Sequence, residues 1–200
     1  MLGSASPRRA ELLAALGAAF TIAAADLDEE MFGDPGADAT RLAREKAQAI
    51  LESHPEAVVV GADTIVHDGV RSYGKPVAEG DAVAMLESLC GVEHQVYTGV
   101  CVVSTGGCET EVSVSNVWLR SLSRAEIVGY VRGAGHMDKA GAYAIQDAAH
   151  PIVDSYDGCF CSIMGLPLWR TYAALRRLGI DVEEPAGAIG RCAGCPERKT

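Results

Sequence analysis

A single acidic side chain interrupts one of the most apolar stretches of the chain: Asp63 follows Val58-Val-Val-Gly-Ala62 and precedes Thr64-Ile-Val66. An ionised carboxylate costs several kcal/mol to bury without a partner, so this position needs a reason. Either Asp63 caps a turn, or it stands in a crevice at a strand end and accepts a proton from water. Lys46 poses the same question on a helix. It is spaced four residues from both Leu42 and Ile50, on the stripe a helix would bury, so its ammonium either snorkels to the rim or enters a cleft. Asp28-Glu29-Glu30 reads as a solvated acidic loop or as a source of metal ligands. Ser4-Ala-Ser6-Pro7-Arg8-Arg9 sets hydroxyls and two guanidiniums around a helix start, where unpaired N–H groups and the dipole favour anions. The alternative there is a capped helix with solvated arginines. No G-x-x-x-x-G-K-[ST] phosphate loop occurs. Cys192-Ala-Gly-Cys195 has ligand spacing, but a structural zinc takes four ligands and no second CxxC exists. The pair is therefore read as part of an inert terminus.

These residues need elements to position them. Ser6 and Pro7 mark a helix start, Leu12, Leu13 and Leu16 give its apolar stripe, and Gly17 ends it. A second helix is expected over 39–53, a strand over 57–66, and a short helix over 81–89 closed by Gly91. Residues 95–104 and 108–119 are β-rich runs joined through Thr105-Gly106-Gly107, a hairpin signal. Ser123-Arg-Ala-Glu126 forms a capping box with Leu122 and Ile127 as its staple. Cys159–Met164 reads as a last strand, and 167–178 as a last helix ended by Gly179. The expected class is α/β, a mixed, partly antiparallel twisted sheet flanked by helices. Residues 1–182 form one domain, and 183–200, rich in Pro, Gly and charge, form a flexible tail.

Composition narrows the partners. Of the 200 residues, 48% are hydrophobic and 22% charged, enough to bury a sizeable core. The net charge of -10 argues against a nucleic-acid polymer, which needs many Lys and Arg contacts to phosphates. A small phosphorylated substrate, held by a few local cations or a metal, stays open. No apolar run approaches the ~20 residues of a membrane span, and no secretory signal is visible. Seven cysteines without regular spacing favour a reducing compartment, the cytoplasm.

Seven collinear segments carry a resemblance: Ser4-Ala-Ser-Pro-Arg-Arg-Ala-Glu-Leu-Leu13, Leu42-Ala-Arg-Glu-Lys-Ala47, Val60-Gly-Ala-Asp-Thr64, Gly74-Lys-Pro76, Leu89-Cys-Gly91 with His94 and Thr98, Asp138-Lys-Ala-Gly-Ala-Tyr-Ala-Ile-Gln146, and Met164-Gly-Leu-Pro167. Together they resemble the Maf family of nucleotide pyrophosphatases. The resemblance implies a deep substrate cleft between two lobes, a homodimer, and cleavage between the α- and β-phosphates with Mg²⁺ or Mn²⁺. It makes Asp63 the proton acceptor, with Glu29 and Lys46 beside it and Glu29 and Asp63 as metal ligands. Ser6, Arg9, Lys75, Asp138 and Lys139 match polar motif positions that line the cleft. Arg8, Thr64 and Gln146 side with the branch acting on dTTP and UTP and, by extension, modified pyrimidine nucleotides. The branch acting on 7-methyl-GTP resembles S-P-W-R and S-D-Q at the first two of these positions. A non-catalytic nucleotide-binding regulator of cell division is the rival from another class. Departures are Gly3 for Ala, Asp147 where Gly is usual, and Cys159-Phe-Cys161 where Tyr and Asn are usual.

Overall fold

The valine-rich run around Asp63 becomes a strand of a five-stranded sheet in a computed structural model that describes residues 1–25, 27–134 and 137–199. In chain order the elements are α1 (Pro7–Ala14), α2 (Pro35–Ser53), β1 (Val59–His67), β2 (Ser72–Tyr73), α3 (Glu79–Leu89), β3 (Glu93–Ser104) and β4 (Gly107–Leu119). There follow α4 (Arg124–Ala134), β5 (Val153–Asp157), α5 (Phe160–Met164), α6 (Leu168–Arg177) and α7 (Pro185–Ala188). The strand order is β2-β1-β3-β4-β5, and the pairings between these strands are all antiparallel. Among the described residues, parallel pairing is confined to single bridges, one of them Leu2 to Val60.

The period of two along β1 assigns its faces. Val59 packs with Ala43, Ala47 and Ile50 of α2, whereas Val60 and Ala62 join Leu12, Leu13, Leu166 and Leu168 on the opposite side. A further cluster around Leu86, Leu89, Val96 and Ile127 seats α3 and α4. Helix α2 begins earlier than expected because Asp34 accepts the N–H groups of Gly36 and Ala37, with Pro35 in the first turn. It then lies almost on the sheet. A Cβ at Gly61 would stand 2.3 Å from the Ala43 carbonyl oxygen, and one at Gly99 would stand 2.2 Å from that of Ala39.

Two expectations are corrected. Cys159–Met164 is not a strand. Gly158 and Gly165 at its ends both have positive φ, and Ser162 N–H bonds the Cys159 sulfur, which closes a helical turn over Phe160–Met164. The described part of 183–200 is docked. Glu183 N–H bonds the Leu16 carbonyl at 2.9 Å, Trp169 Nε1–H bonds the Cys192 carbonyl at 2.9 Å, and Arg170 pairs with Glu197. Pro185 and Cys192 are buried, and Ile189 packs against the core. These anchors are too widely spaced to show a periodicity. Thr200 lies outside the described residues.

The close approach of α2 yields a first prediction. Gly61→Ala drives a methyl into helix backbone, and overpacking of this kind costs about 1–3 kcal/mol. Chemical denaturation should show that loss in the purified variant. An unchanged unfolding midpoint would mean the helix is not held this closely.

Candidate active site

The free edge of β1 opens a concave pocket. That edge is paired at Val60 by Leu2 and at Val66–His67 by β2, and among the described residues the intervening stretch has no strand partner. Asp63 and Thr64 lie on this stretch and point to opposite faces of the strand. All eleven residues selected from the sequence line the resulting cavity of about 320 Å³.

At its floor Lys46 stands between two carboxylates. Its Nζ donates to Asp63 Oδ1 at 2.5 Å and to Glu29 Oε1 at 2.6 Å. Lys46 is 7% exposed and Asp63 6%, so the lysine does not snorkel and the aspartate does not cap an exposed turn. Glu29 comes from the loop before α2, which Asp38 and Arg41 tie down. Asp38 accepts the N–H groups of Phe32 and Gly33, while Arg41 bonds the Glu30 carbonyl and lies over the Phe32 ring. Burial works to raise the Glu29 carboxyl, but hydrogen bonding and charge from Lys46, with Lys75 and Arg9 behind, hold it below its usual value. Lys75 Nζ lies 3.9 Å from Glu29.

The N-terminus of α1 supplies the next wall. Ser6 makes no side-chain cap, so the first turn of α1 opens into the pocket with its N–H groups uncapped. Arg9 is locked in place. Its Nε donates to the Gly165 carbonyl at 2.8 Å, and its terminal nitrogens donate to Ser4 Oγ and Thr64 Oγ1, both at 3.2 Å. Burial lowers the Arg9 guanidinium from its usual value, with the Asp63 charge opposing that shift. Gly165 is left-handed, φ 116°, and a Cβ there would lie 3.3 Å from Arg9 Nε, so a side chain would be strained and crowd the arginine.

The rim is a second charged group. Asp138 accepts from Arg8 at 2.9 Å and from Lys139 at 2.6 Å. Burial pushes the Asp138 carboxyl up, yet the hydrogen bonds from Lys139 and Arg8 outweigh it and hold it at about 2. Gln146 is half-buried in the same wall, and among the described residues its amide has no hydrogen-bond partner. Asp147, the departure next to it, accepts the N–H groups of Ala149 and His150 at 3.0 Å each and does not line the cavity.

Sequence reasoning passed over three supports. Thr98, fully buried, links Thr64 Oγ1 at 3.1 Å to the Ser162 carbonyl at 2.8 Å. Ser4 holds Arg9, and His94 Nε2 meets the Tyr143 hydroxyl at 2.8 Å beneath the loop that carries Gln146. Burial lowers the His94 imidazole to about 4, so it is neutral at physiological pH. All three stand inside the collinear motifs, and Ser4 also belongs to the hydroxyl-bearing helix start.

Five cations, Arg8, Arg9, Lys46, Lys75 and Lys139, thus share the cavity with three carboxylates, Glu29, Asp63 and Asp138. In an acidic chain this local positive excess suits a small, multiply charged anion. Residues 1–178 match the family described as Maf-like protein, and the chain belongs to that family. A protein of Syntrophomonas wolfei named dTTP/UTP pyrophosphatase is 43% identical over 185 residues, covering 90% of this chain and 98% of that protein. Proteins of the same name from Geobacter sulfurreducens and Aquifex aeolicus are 46% and 41% identical, each covering 90% of this chain and 96% and 95% of their own lengths.

The buried pair yields a second prediction. Lys46→Met leaves Asp63 buried without its ammonium, a change that costs about 3–5 kcal/mol. Urea unfolding should show this loss, and adding Asp63→Asn to the same chain should restore part of it. No loss in the single variant would mean that the pair carries no buried charge.

Proposed function

We propose that this chain hydrolyses dTTP and UTP to the nucleoside monophosphate and pyrophosphate. The observation that carries the reading is the buried Asp63–Lys46–Glu29 set at the floor of a cavity ringed by cations. Water adds to the α-phosphorus, the α–β anhydride bond breaks, and the pair of electrons leaves on the bridging oxygen of pyrophosphate. Asp63 takes the proton from the attacking water, the task a fixed carboxylate performs in general-base catalysis. Lys46, bonded to the same carboxylate, holds its orientation. Arg8, Lys75 and Lys139 meet the charge that grows on the departing phosphates, and the first turn of α1 offers N–H groups to the same oxygens. The names of the relatives support the substrate.

A divalent cation suits the floor. Glu29 and Asp63 already converge on one positive group, the Lys46 ammonium, and their hard oxygens are the donors Mg²⁺ or Mn²⁺ prefers. When bound, such an ion would neutralise phosphate charge and polarise the phosphoryl group. Asp63→Asn tests the assignment. With Mg²⁺ or Mn²⁺, the unmodified protein should release pyrophosphate and monophosphate from dTTP, and excess chelator should stop it. The variant should still bind dTTP and lose roughly 10²–10⁴-fold in turnover. Orthophosphate as the product, or near-normal turnover in the folded variant, counts against the reading.

The base is read by Gln146, whose amide offers a donor and an acceptor together to a uracil-type edge. Thr64, fixed by Arg9 and Thr98, completes the wall. A 7-methyl-GTP substrate would share the chemistry and differ only at this wall, and a non-catalytic binder has no need of a base at the floor. A cytoplasmic homodimer belongs to the same proposal. Gln146→Glu replaces the amide donor with an acceptor and leaves one partner unmatched, worth ~1–3 kcal/mol. In a competition between dTTP and 7-methyl-GTP, the preference for dTTP should fall about ten- to a hundredfold. A preference for 7-methyl-GTP in the unmodified protein would overturn the choice of base alone.

A further inference from the structure

Away from the pocket, the fold gathers two cysteine pairs that the sequence keeps apart. Cys159-Phe-Cys161 opens α5, and Cys192-Ala-Gly-Cys195 lies in the C-terminal segment. Cys161 Sγ is 3.4 Å from Cys192 Sγ, and Cys159 is the neighbour of Cys195. Cys159 Sγ, Cys195 Sγ and a Glu197 carboxylate oxygen lie within 4.8 Å of one another. The two pairs meet in one patch of the core: Cys159, Cys161 and Cys192 belong to its buried cluster, and Cys195 packs against it. Cys159, Cys161 and Cys192 are each 1% exposed. None of the seven cysteines is in a disulfide, and 3.4 Å is far beyond the roughly 2.05 Å of such a bond. Sulfurs arranged tetrahedrally at about 2.3 Å from zinc stand about 3.8 Å apart, against 3.4 Å between Cys161 and Cys192.

The surroundings suit thiolates. Ser162 N–H points at the Cys159 sulfur at 3.4 Å. Cys195 N–H closes a tight turn on the Cys192 carbonyl at 3.3 Å. Arg170 holds Glu197 at 2.7 Å, and Arg191 lies 4.2 Å over the ring of Phe160, the residue between the first two cysteines. These guanidiniums offset the net negative charge that four thiolates leave on Zn²⁺.

We infer that Cys159, Cys161, Cys192 and Cys195 form a structural zinc site that fastens the C-terminal segment to α5. Four soft ligands in a buried cluster select zinc and leave no open position for chemistry. Glu197, already paired with Arg170, stays outside the ligand set. Helix α5 begins at this cluster and ends at Gly165, whose carbonyl orients Arg9. The metal thus stiffens the pocket wall from behind, apart from the Glu29 and Asp63 carboxylates at the floor.

The test is elemental analysis of the full chain, made in zinc-supplemented medium and purified with reductant. About one zinc per chain is expected, released when a mercurial blocks the thiols. Loading with Co²⁺ instead should give the intense visible absorption of a tetrahedral tetrathiolate. Cys192→Ser with Cys195→Ser should reduce the zinc below about a tenth per chain and lower the melting temperature, as structural zinc contributes directly to folding. Cys101→Ser with Cys108→Ser should keep the metal. A zinc-free reduced protein, zinc that persists in the Cys192/Cys195 variant, or Cys159–Cys195 and Cys161–Cys192 disulfides found by mass spectrometry of the chain purified without reductant would each overturn the assignment. Should the variant fail to fold, the zinc content and cobalt spectrum of the unmodified chain decide the matter.

Discussion

The contact between the α2 backbone and the sheet governs the site. Two glycines, Gly61 and Gly99, remove the side chains that would hold the helix off, and Ala39, Ala43 and Ala47 remove those on the helix. Lys46 is carried by this seam to the level of Asp63, which shares the seam face of β1 with Gly61. At a normal helix–sheet separation the ammonium would lie farther from the carboxylate, and both groups would need other partners or water. The same seam explains why an ionised pair survives at low exposure. Rigid backbone on both sides fixes the geometry, and the Coulombic attraction offsets the desolvation only when geometry is fixed.

A second layer of control is electrostatic. The surface of the chain is acidic, yet its pocket concentrates cations on loops and helix starts: Arg8 and Arg9 on α1, Lys75 after β2, Lys139 before the short 3₁₀ turn at Ala140–Ala142. Such a field repels polyanions over most of the surface and draws a small anion to one mouth. Neutral supports hold these charges from beneath. The Thr64–Thr98–Ser162 chain and the His94–Tyr143 contact satisfy buried polar atoms without adding charge that would compete with the site.

Much of this was legible in the sequence, for local reasons. Asp63 in its apolar run, the Thr105-Gly106 hairpin and the Ser123–Glu126 capping box are each specified by residues within a few positions. What was not legible depends on distant parts of the chain. Asp28, Glu29 and Glu30 are equivalent on paper, and only Asp38 and Arg41 aim the middle one at Lys46. Cys159, Phe160 and Ile163 have the composition of a strand. Their helical turn follows from the flanking positive-φ glycines and a sulfur cap. The C-terminal segment shows no periodicity because a few anchors, Pro185, Ile189 and Cys192, seat it at points rather than along a face. Cys159-Phe-Cys161 and Cys192-Ala-Gly-Cys195 are likewise unrelated along the chain, and only the docking of the C-terminal segment brings them together.

Asp138 gives the pocket a resident anion. Held well below the usual carboxylate range by Arg8 and Lys139, it stays charged throughout the range in which enzymes work, and it occupies two of the five cations before any phosphate arrives. On the function proposed above, an incoming phosphate trades places with a carboxylate rather than meeting bare guanidinium and ammonium groups. That exchange lowers the grip on every phosphorylated species, products included, and gives departing pyrophosphate a built-in competitor for the same cations. Such a rim would act less like a trap than like an ion exchanger, regenerated by its own side chain at the end of each cycle.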